Sequence, residues 1–327
     1  MIDIADPDYS RPLFSIVIPA YNVEGCIARA VESVISQTCQ DFEIIIVDDS
    51  SKDETVAISR QLALKHDRIR VLEQATNQGP SSARNRGIDE SRGLWIAILD
   101  ADDAFGASRL QNLAEFATRH DADIVADNLA LYDQGLGEIV GNAFSWRTDF
   151  ALTLDDLLAQ DVYLRGVPMG WIKPVFRRQY LLDRGLRYPP EYRHAEDFFL
   201  LASALAEGAL FWISSRAEYV YTTRMGLVSR EASPFSATSP NLESIALSCD
   251  QLLKEYGPKL SRKQTLGLER RKARFRNGGI AIQAINEARQ GQKFSAALRL
   301  LRNPCATAIL VEKAASKASN FIFRRKK

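Results

Sequence analysis

The sequence has no apolar run of about 18 residues, the length a helix needs to cross a bilayer, so it offers no membrane-spanning segment. Its first residues carry Asp3, Asp6 and Asp8 in place of the basic-then-apolar order of an export signal. Histidine is scarce, at three residues, and the four cysteines (Cys26, Cys39, Cys249, Cys305) form no Cys-x-x-Cys pair. That excludes the usual zinc spacings and predicts reduced thiols in a cytosolic setting, each a small buried hydrophobe. Two phosphate-binding signatures are missing as well: Gly-x-Gly-x-x-Gly, and a loop ending in Gly-Lys-Ser/Thr. Any phosphate bound here must be held by side chains and a metal, not by a glycine cradle. No internal repeat or low-complexity stretch occurs.

What is present is the mix of an ordinary globular protein, 46% hydrophobic and 25% charged in 327 residues, enough for one large domain or two modest ones. The net charge of +1 conceals an asymmetry. Of 42 Lys and Arg and 41 Asp and Glu, 19 basic but only four acidic residues follow position 253, leaving 23 and 37 in the rest. A basic tail suits an anionic membrane surface, nucleic acid or simply a solvated helical face; no motif supports nucleic acid.

From residue 13 to 130, short apolar runs alternate with helical patterns. Phe14 to Ile18 reads as a strand stopped by Pro19, and Val23, Ile27, Ala30, Val31, Val34 and Ile35 recur at helical spacing. Phe42 to Val47 is the continuous run of a strand covered on both faces. Ser51-Lys52-Asp53-Glu54 predicts a capping box, Ile69 to Leu72 a third strand, Ser81 to Glu90 a third helix, and Leu94 to Leu99 a fourth strand. Ile124 to Ala126 is read as a fifth. This β-α-β order predicts a mainly parallel sheet with helices on both faces. Ala217 to Thr222 is a later strand. From Leu242 onward the pattern is helical, with breaks expected near Gly257-Pro258, Gly278-Gly279 and Asn303-Pro304.

In such a sheet, ligands bind at the carboxyl ends of the strands. Those ends carry Tyr21-Asn22, Asp48-Asp49 and, after Leu94 to Leu99, the acids Asp100, Asp102 and Asp103. Carboxylates crowded at a strand tip repel one another and need an offsetting charge. A hard divalent cation bearing phosphate oxygens is one solution; a solvated acidic turn is the plainer alternative.

The ordered set Phe14 to Asn22, Ile44 to Ser51, Asn77 to Gly87, Leu99 to Asp103 and Glu196-Asp197 resembles the family 2 glycosyltransferases of the GT-A fold, in particular bacterial enzymes of exopolysaccharide assembly such as the succinoglycan type. The resemblance covers residues 12 to 232 and leaves the C-terminal third uncovered. It implies an inverting, metal-dependent transfer of a sugar from a nucleoside-diphosphate donor, a UDP-sugar above all, to a polyprenyl-linked or other saccharide acceptor. Asp102 would be the ligand of a Mg2+ or Mn2+ ion, with Asp100 helping to hold the metal or the ribose. Asp103 has either direct contact or an orienting role. Asp49 would accept from the imide N–H of uracil, Tyr21 would stack near the base, and Arg84 falls where the family has a basic nucleotide contact. Asp197 matches the catalytic base, with Glu196 as runner-up or acceptor ligand; a plain helix cap is the alternative for this pair. Trp171 and Lys173 stand among acceptor-side or diphosphate contacts, and Arg224 and Arg230, flanking Gly226, would belong to a closing loop. The Gln-x-x-Arg-Trp motif of processive members is absent, which implies one sugar added per encounter.

Competing classes are a nucleotidyltransferase making an activated sugar, an aspartyl phosphatase, and a non-catalytic nucleotide-sugar-binding protein or membrane scaffold. The first would need a glycine-rich, lysine-bearing loop where Pro19 to Asn22 stands, the second its acids after the first strand. Asp102 and Asp197 together argue against the third. The expected organisation is a GT-A domain over residues 1–232 and a helical basic region over 233–327. The latter, with Ile309, Val311, Phe321, Ile322 and Phe323 among Lys313, Lys317, Arg324, Arg325, Lys326 and Lys327, is expected to rest on anionic lipid at the cytoplasmic face of a bacterial inner membrane. The full chain is therefore expected to sediment with anionic vesicles at low salt. A chain truncated before residue 304 should stay in the supernatant; continued sedimentation would rule the tail out as the contact.

Overall fold

Residues 42–48 are buried without exception, and the sheet is built outward from this strand and its neighbours. The structure, a computed structural model, describes residues 11–160, 167, 169–192, 194–223 and 241–312. These fall into two compact units. The first holds 11–157, 169–191 and 196–223; the second holds 241–312 together with 158–160, 167, 192, 194 and 195. The boundary expected after residue 232 lies outside the described residues, and the second unit also takes in short stretches from upstream of it.

In the first unit the chain runs β1 (Phe14–Ala20), α1 (Ile27–Ile35), β2 (Phe42–Asp48), α2 (Thr55–Lys65), β3 (Ile69–Glu73), α3 (Pro80–Glu90) and β4 (Trp95–Ile98). There follow β5 (Ala104–Phe105), α4 (Arg109–His120), β6 (Ile124–Asp133), β7 (Glu138–Asn142), β8 (Phe150–Leu152) and α5 (Leu154–Gln160), the last ending in the second unit. After a 3-10 turn at Met169–Trp171 come β9 (Val175–Arg177), α6 (Arg178–Asp183), α7 (Glu196–Ala206) and β10 (Phe211–Thr222). The strand order is β3-β2-β1-β4-β9-β6-β10-β5, with β7 beside β6 and β8 beside β10.

The β3-β2-β1-β4 half is parallel, as the alternation predicts. The rest is mixed. β9 is antiparallel to both β4 and β6 and separates them, so the fifth predicted strand is not the neighbour of the fourth. Helices cover both faces of the parallel half. Phe14, Ile16 and Ile18 pack with Phe42, Ile44 and Ile46 against the α1 stripe Ile27, Ala30, Val31 and Val34 and against α4. Ile45, Val47 and Ala83 form a separate cluster with Leu72 on the opposite side. Each large aliphatic side chain so buried contributes about 1.5–3 kcal/mol.

Pro19 does not stop β1; it pairs with Val47 inside the strand. β1 alternates its hydrogen-bonding sides, and Val17 accepts from Leu99 on the β4 side at 3.0 Å. Pro19 faces that same side just past the end of β4, where its missing N–H breaks no ladder bond. The capping box at Ser51 is also not made. Helix α2 starts at Thr55, whose backbone N–H and hydroxyl both donate to Asp53 Oδ1 (3.1 and 2.6 Å). Ser51 instead accepts from the Asn22 backbone N–H, lacing the β1 and β2 exits together.

Two close approaches position the candidate site. A Cβ on Gly87 would lie 2.2 Å from Val17 Cγ1, so only glycine lets α3 lie this close to β1 and bring Arg84, one turn earlier, to the strand tips. Arg109, fully buried, donates from Nε and Nη2 to Asp127 Oδ1 (2.9 and 2.7 Å) and from Nη2 to the Lys173 carbonyl (2.8 Å). It joins α4, β6 and the 169–173 segment.

In the second unit, α8 (Leu242–Tyr256), α9 (Arg262–Arg289) and α10 (Lys293–Arg302) are helices. The break expected at Gly278-Gly279 does not occur: Gly278 is buried in α9, and packing outweighs the propensity cost of about 1 kcal/mol per glycine. Ile309 is buried while Val311 is exposed, as are Phe294 and Leu301, so Ile309 is not on the apolar face open to solvent. No helix of the described residues is long and apolar enough to cross a membrane.

Removing one member of the Arg109–Asp127 pair strands a buried charge. Arg109→Met is expected to cost about 3–5 kcal/mol in urea unfolding, with Arg109→Met/Asp127→Asn recovering part of the loss. An additive double variant would show the two side chains acting independently.

Candidate active site

The carboxyl ends of β1, β2 and β4 meet at one edge, and the chemistry-bearing side chains gather there in three groups. The first surrounds Asp49. It is buried, and its carboxylate accepts from Gln74 Nε2 (2.6 Å), the Gln78 backbone N–H (2.7 Å) and the Gly79 backbone N–H (2.7 Å). Gly79, at φ +88°, turns the chain into α3, and Pro80 opens that helix. Asp48 accepts from the Ser51 N–H through Oδ2 (3.0 Å), while its Oδ1 is buried without a hydrogen-bond partner. Tyr21 is 46% exposed beside them. Asn22 and Ser50 both have positive φ (51° and 65°), which for serine is a strained conformation.

The second group is the acidic tip after β4. Asp100 gives one oxygen to Arg84 Nη2 (2.8 Å) and the other to Lys173 Nζ (3.0 Å). Burial alone would raise its pKa, but Lys173, then Arg84, hold it well below the usual carboxylate range. Asp103 behaves oppositely. It is 1% exposed and accepts from the Tyr219 hydroxyl (2.7 Å) and the Thr222 backbone N–H (2.7 Å). Burial first, then the charges of Asp102 and Asp100, push its pKa well up. Asp102 is half-buried. Its backbone carbonyl accepts from the Thr222 hydroxyl (2.5 Å) and from Arg29, which also donates to that hydroxyl.

The third group stands at the start of α7. Asp197 lies 3.1 Å from Lys173 Nζ and 3.9 Å from Arg84 Nη1, and Glu196 Oε1 is 3.5 Å from Arg84 Nη1. Glu196 Oε2 is buried with no hydrogen-bond partner. Arg84 also lies over the Tyr188 ring, 5.3 Å from its centroid. The tyrosine's pKa is raised by burial and by Asp197. Trp171, 40% exposed, stacks on Tyr221 with centroids 5.1 Å apart and planes at 13°.

The structure therefore brings Arg84, Asp100, Lys173, Glu196 and Asp197 into one cluster, with Asp102 beside it and Trp171 two residues from Lys173. Arg224 and Arg230 lie outside the described residues. Among the described residues no three His, Cys, Asp or Glu side chains are grouped to enclose a metal ion. The donor set fits another mode, in which one carboxylate and substrate phosphates share a hard cation. Sequence reading missed Asp103's partners Tyr219 and Thr222, as well as Arg29 and Arg109. Arg109 had a signal: it sits on the buried face of α4 with Leu113 and Phe116, where an arginine needs a partner.

A sequence profile described as "Glycosyl transferase family 2" matches residues 15–178. The chain is 37% identical over 222 residues to the "Succinoglycan biosynthesis protein ExoO" of Rhizobium meliloti, covering 67% of this chain and 63% of that protein. It is 33% identical over 214 residues to "Succinoglycan biosynthesis protein ExoU" of the same organism, covering 64% and 61%. The match thus spans less than two thirds of the length of these curated relatives. Among solved structures, S. aureus TarS 1-349 in complex with UDP-GlcNAc superposes with TM-score 0.65 at 24% identity, over 86% of this chain and 79% of that one. The mannosyltransferase PcManGT from Pyrobaculum calidifontis, in complex with GDP-Man and Mn2+, gives 0.57 at 16%, over 95% and 81%. At such identities the likeness establishes the fold, which is GT-A.

Asp103 generates a pH prediction. Its folded pKa lies above the ordinary aspartate value of about 3.9, so above that pH the unfolded chain has released a proton that the folded chain retains. Stability contributed by this group is then lost as pH rises through the folded value. In metal-free protein, Asp103→Asn is expected to flatten this decline, read as urea-unfolding free energy at several pH values in EDTA. Identical pH slopes would exclude a raised Asp103 pKa.

Proposed function

The chain belongs to glycosyl transferase family 2, and on that footing we propose that it transfers a sugar, with inversion and one residue at a time, from a nucleoside-diphosphate donor to a saccharide acceptor. The observation that carries this reading is the meeting of Asp100, Arg84 and Asp197 at one sheet edge, from three separate stretches of sequence, with Asp102 two residues beyond Asp100. UDP is the expected carrier. Asp49 has three of about four acceptor positions taken, which leaves one for an imide N–H, and Tyr21 is exposed beside it. The relatives' names support exopolysaccharide assembly as the setting, with a lipid-linked oligosaccharide as acceptor.

Asp197 has the work of the base. As the acceptor hydroxyl attacks the anomeric carbon, its proton passes to an Asp197 carboxylate oxygen while the bond from that carbon to the diphosphate oxygen breaks on the opposite side. Its place in the first turn of α7 favours the anion. Glu196, with one buried oxygen unused, is suited to hold an acceptor hydroxyl. Trp171 offers a flat face to a sugar ring, and Arg84 a guanidinium to the nucleotide. By the family resemblance Asp102 would hold Mg2+ or Mn2+; both Asp100 oxygens are engaged by cations. When bound, such an ion offsets the charge that develops on the departing diphosphate.

A peripheral membrane position at the cytoplasmic face completes the reading. It is supported by the basic surplus after residue 253 and by exposed Phe294, Leu301 and Val311.

Transfer is to be assayed with a panel of nucleotide sugars plus Mg2+ or Mn2+. Asp197→Asn is expected to lower kcat by about 10²–10⁴-fold while retaining donor binding. Asp102→Asn is expected to lose the metal-dependent part of that binding. If the parent protein neither turns over nor binds any nucleotide sugar with either metal, the reading falls.

A further inference from the structure

Lys173 is the group in this cluster that the reaction above leaves without work. Its side chain is 8% exposed, with Nζ 3.0 Å from Asp100 Oδ2 and 3.1 Å from Asp197 Oδ2. Burying an ammonium costs several kcal/mol unless it is paired, and this one is paired twice. Burial would strip its proton, but Asp100 and then Asp197 raise its pKa well above that of ordinary lysine, so it stays a cation. Its backbone is pinned too, because its carbonyl accepts from Arg109 at 2.8 Å. Three residues earlier, Gly170 abuts the first turn of α7: a Cβ there would lie 3.7 Å from the Phe198 nitrogen and 4.0 Å from Asp197 Cβ.

A lysine so held is poorly placed to reach out to an acceptor or a diphosphate, the part the family resemblance offers it, since it would first have to leave two carboxylates. We propose that Lys173 is a positioning residue, a cationic strut that fixes Asp197 at a set spacing from the Asp100 strand tip before either substrate arrives. This rests on Asp197 being the base. Two anions facing each other across the site repel; an ammonium between them turns that repulsion into two attractions. Arg84 shares the task more loosely, at 2.8 Å from Asp100 but 3.9 Å from Asp197. Lys173 takes no proton in the reaction, which passes from the acceptor hydroxyl to Asp197.

The test uses the full chain as parent, Lys173→Met, Lys173→Arg, Asp197→Asn and Lys173→Met/Asp197→Asn. Lys173→Met is expected to lower kcat by about 10²-fold, the usual effect of misplacing a reacting group by an ångström, with donor KM unchanged. Lys173→Arg should restore part of the loss, and adding Lys173→Met to Asp197→Asn should cost nothing further. A raised donor KM at constant kcat would overturn the proposal in favour of a direct substrate contact. A second readout is thermal unfolding without ligands: the Tm loss caused by Lys173→Met should be smaller in the Asp197→Asn background than in the parent. Equal losses would overturn the strut. If no sugar transfer is found in any variant, a non-additive Tm cycle still upholds the ion-pair coupling while the base reading of Asp197 fails, so the two failures are distinguishable.

Discussion

Five charged side chains share one largely water-excluded space at the carboxyl edge of the sheet, and their mutual neutralisation is the constraint on which the rest of the site depends. Asp100 leaves β4, Arg84 projects from α3, Lys173 follows the 3-10 turn, and Glu196 and Asp197 open α7. A pair at about 4 Å gains about 4 kcal/mol at an effective dielectric constant of 20, and desolvation cancels much of that. Net stability is therefore a small part of what the cluster does. Its larger effect is geometric: none of the five can move alone without exposing an unpaired charge.

Apolar packing carries this polar centre. Gly87 admits α3 against Val17, which sets where Arg84 reaches. The Arg109–Asp127 pair anchors the carbonyl of Lys173 from below. Asp103 ties the β4 tip to β10 through Tyr219 and Thr222, and Arg29 with the Thr222 hydroxyl fixes the carbonyl of Asp102. The backbone of Asp102 is thus held by two side chains at its carbonyl. Asp100 and Asp103, only three residues apart, shift in opposite directions: burial raises both, but two cations pull Asp100 down, whereas the charges of Asp102 and Asp100 push Asp103 further up.

Much of the parallel half was legible because its signals are local. A run such as Phe42 to Val47 has the pattern expected of a doubly covered strand, and the apolar stripe of α1 has the period of a helix. The start of α7 at Glu196 follows from acids leading an apolar stretch. What failed locally failed through competition. Ser51 has capping chemistry, but its hydroxyl accepts from the Asn22 N–H, and Asp53 accepts from Thr55 at the start of α2 instead. The Gly278-Gly279 pair reads as a break, but burial within the second unit kept α9 continuous. β9 was invisible as a divider of the sheet, because three residues carry no periodicity and pairing partners lie far away in sequence.

By itself, the sequence determined the alternation of strands and helices, the edge at which the acids collect, and the identity of the side chains available for chemistry. These depend on residue type and spacing, which the chain carries in one dimension. Only the tertiary structure decided how those side chains are shared: that Arg84 and Lys173 both serve Asp100, that Lys173 also reaches Asp197, and that Asp103 is sealed against Tyr219 and Thr222. Charge pairing acts over a few ångströms between residues far apart in the chain, such as Arg84 and Glu196 at 112 positions, and burial sets how strongly each pair is felt. Neither quantity exists until the chain has folded.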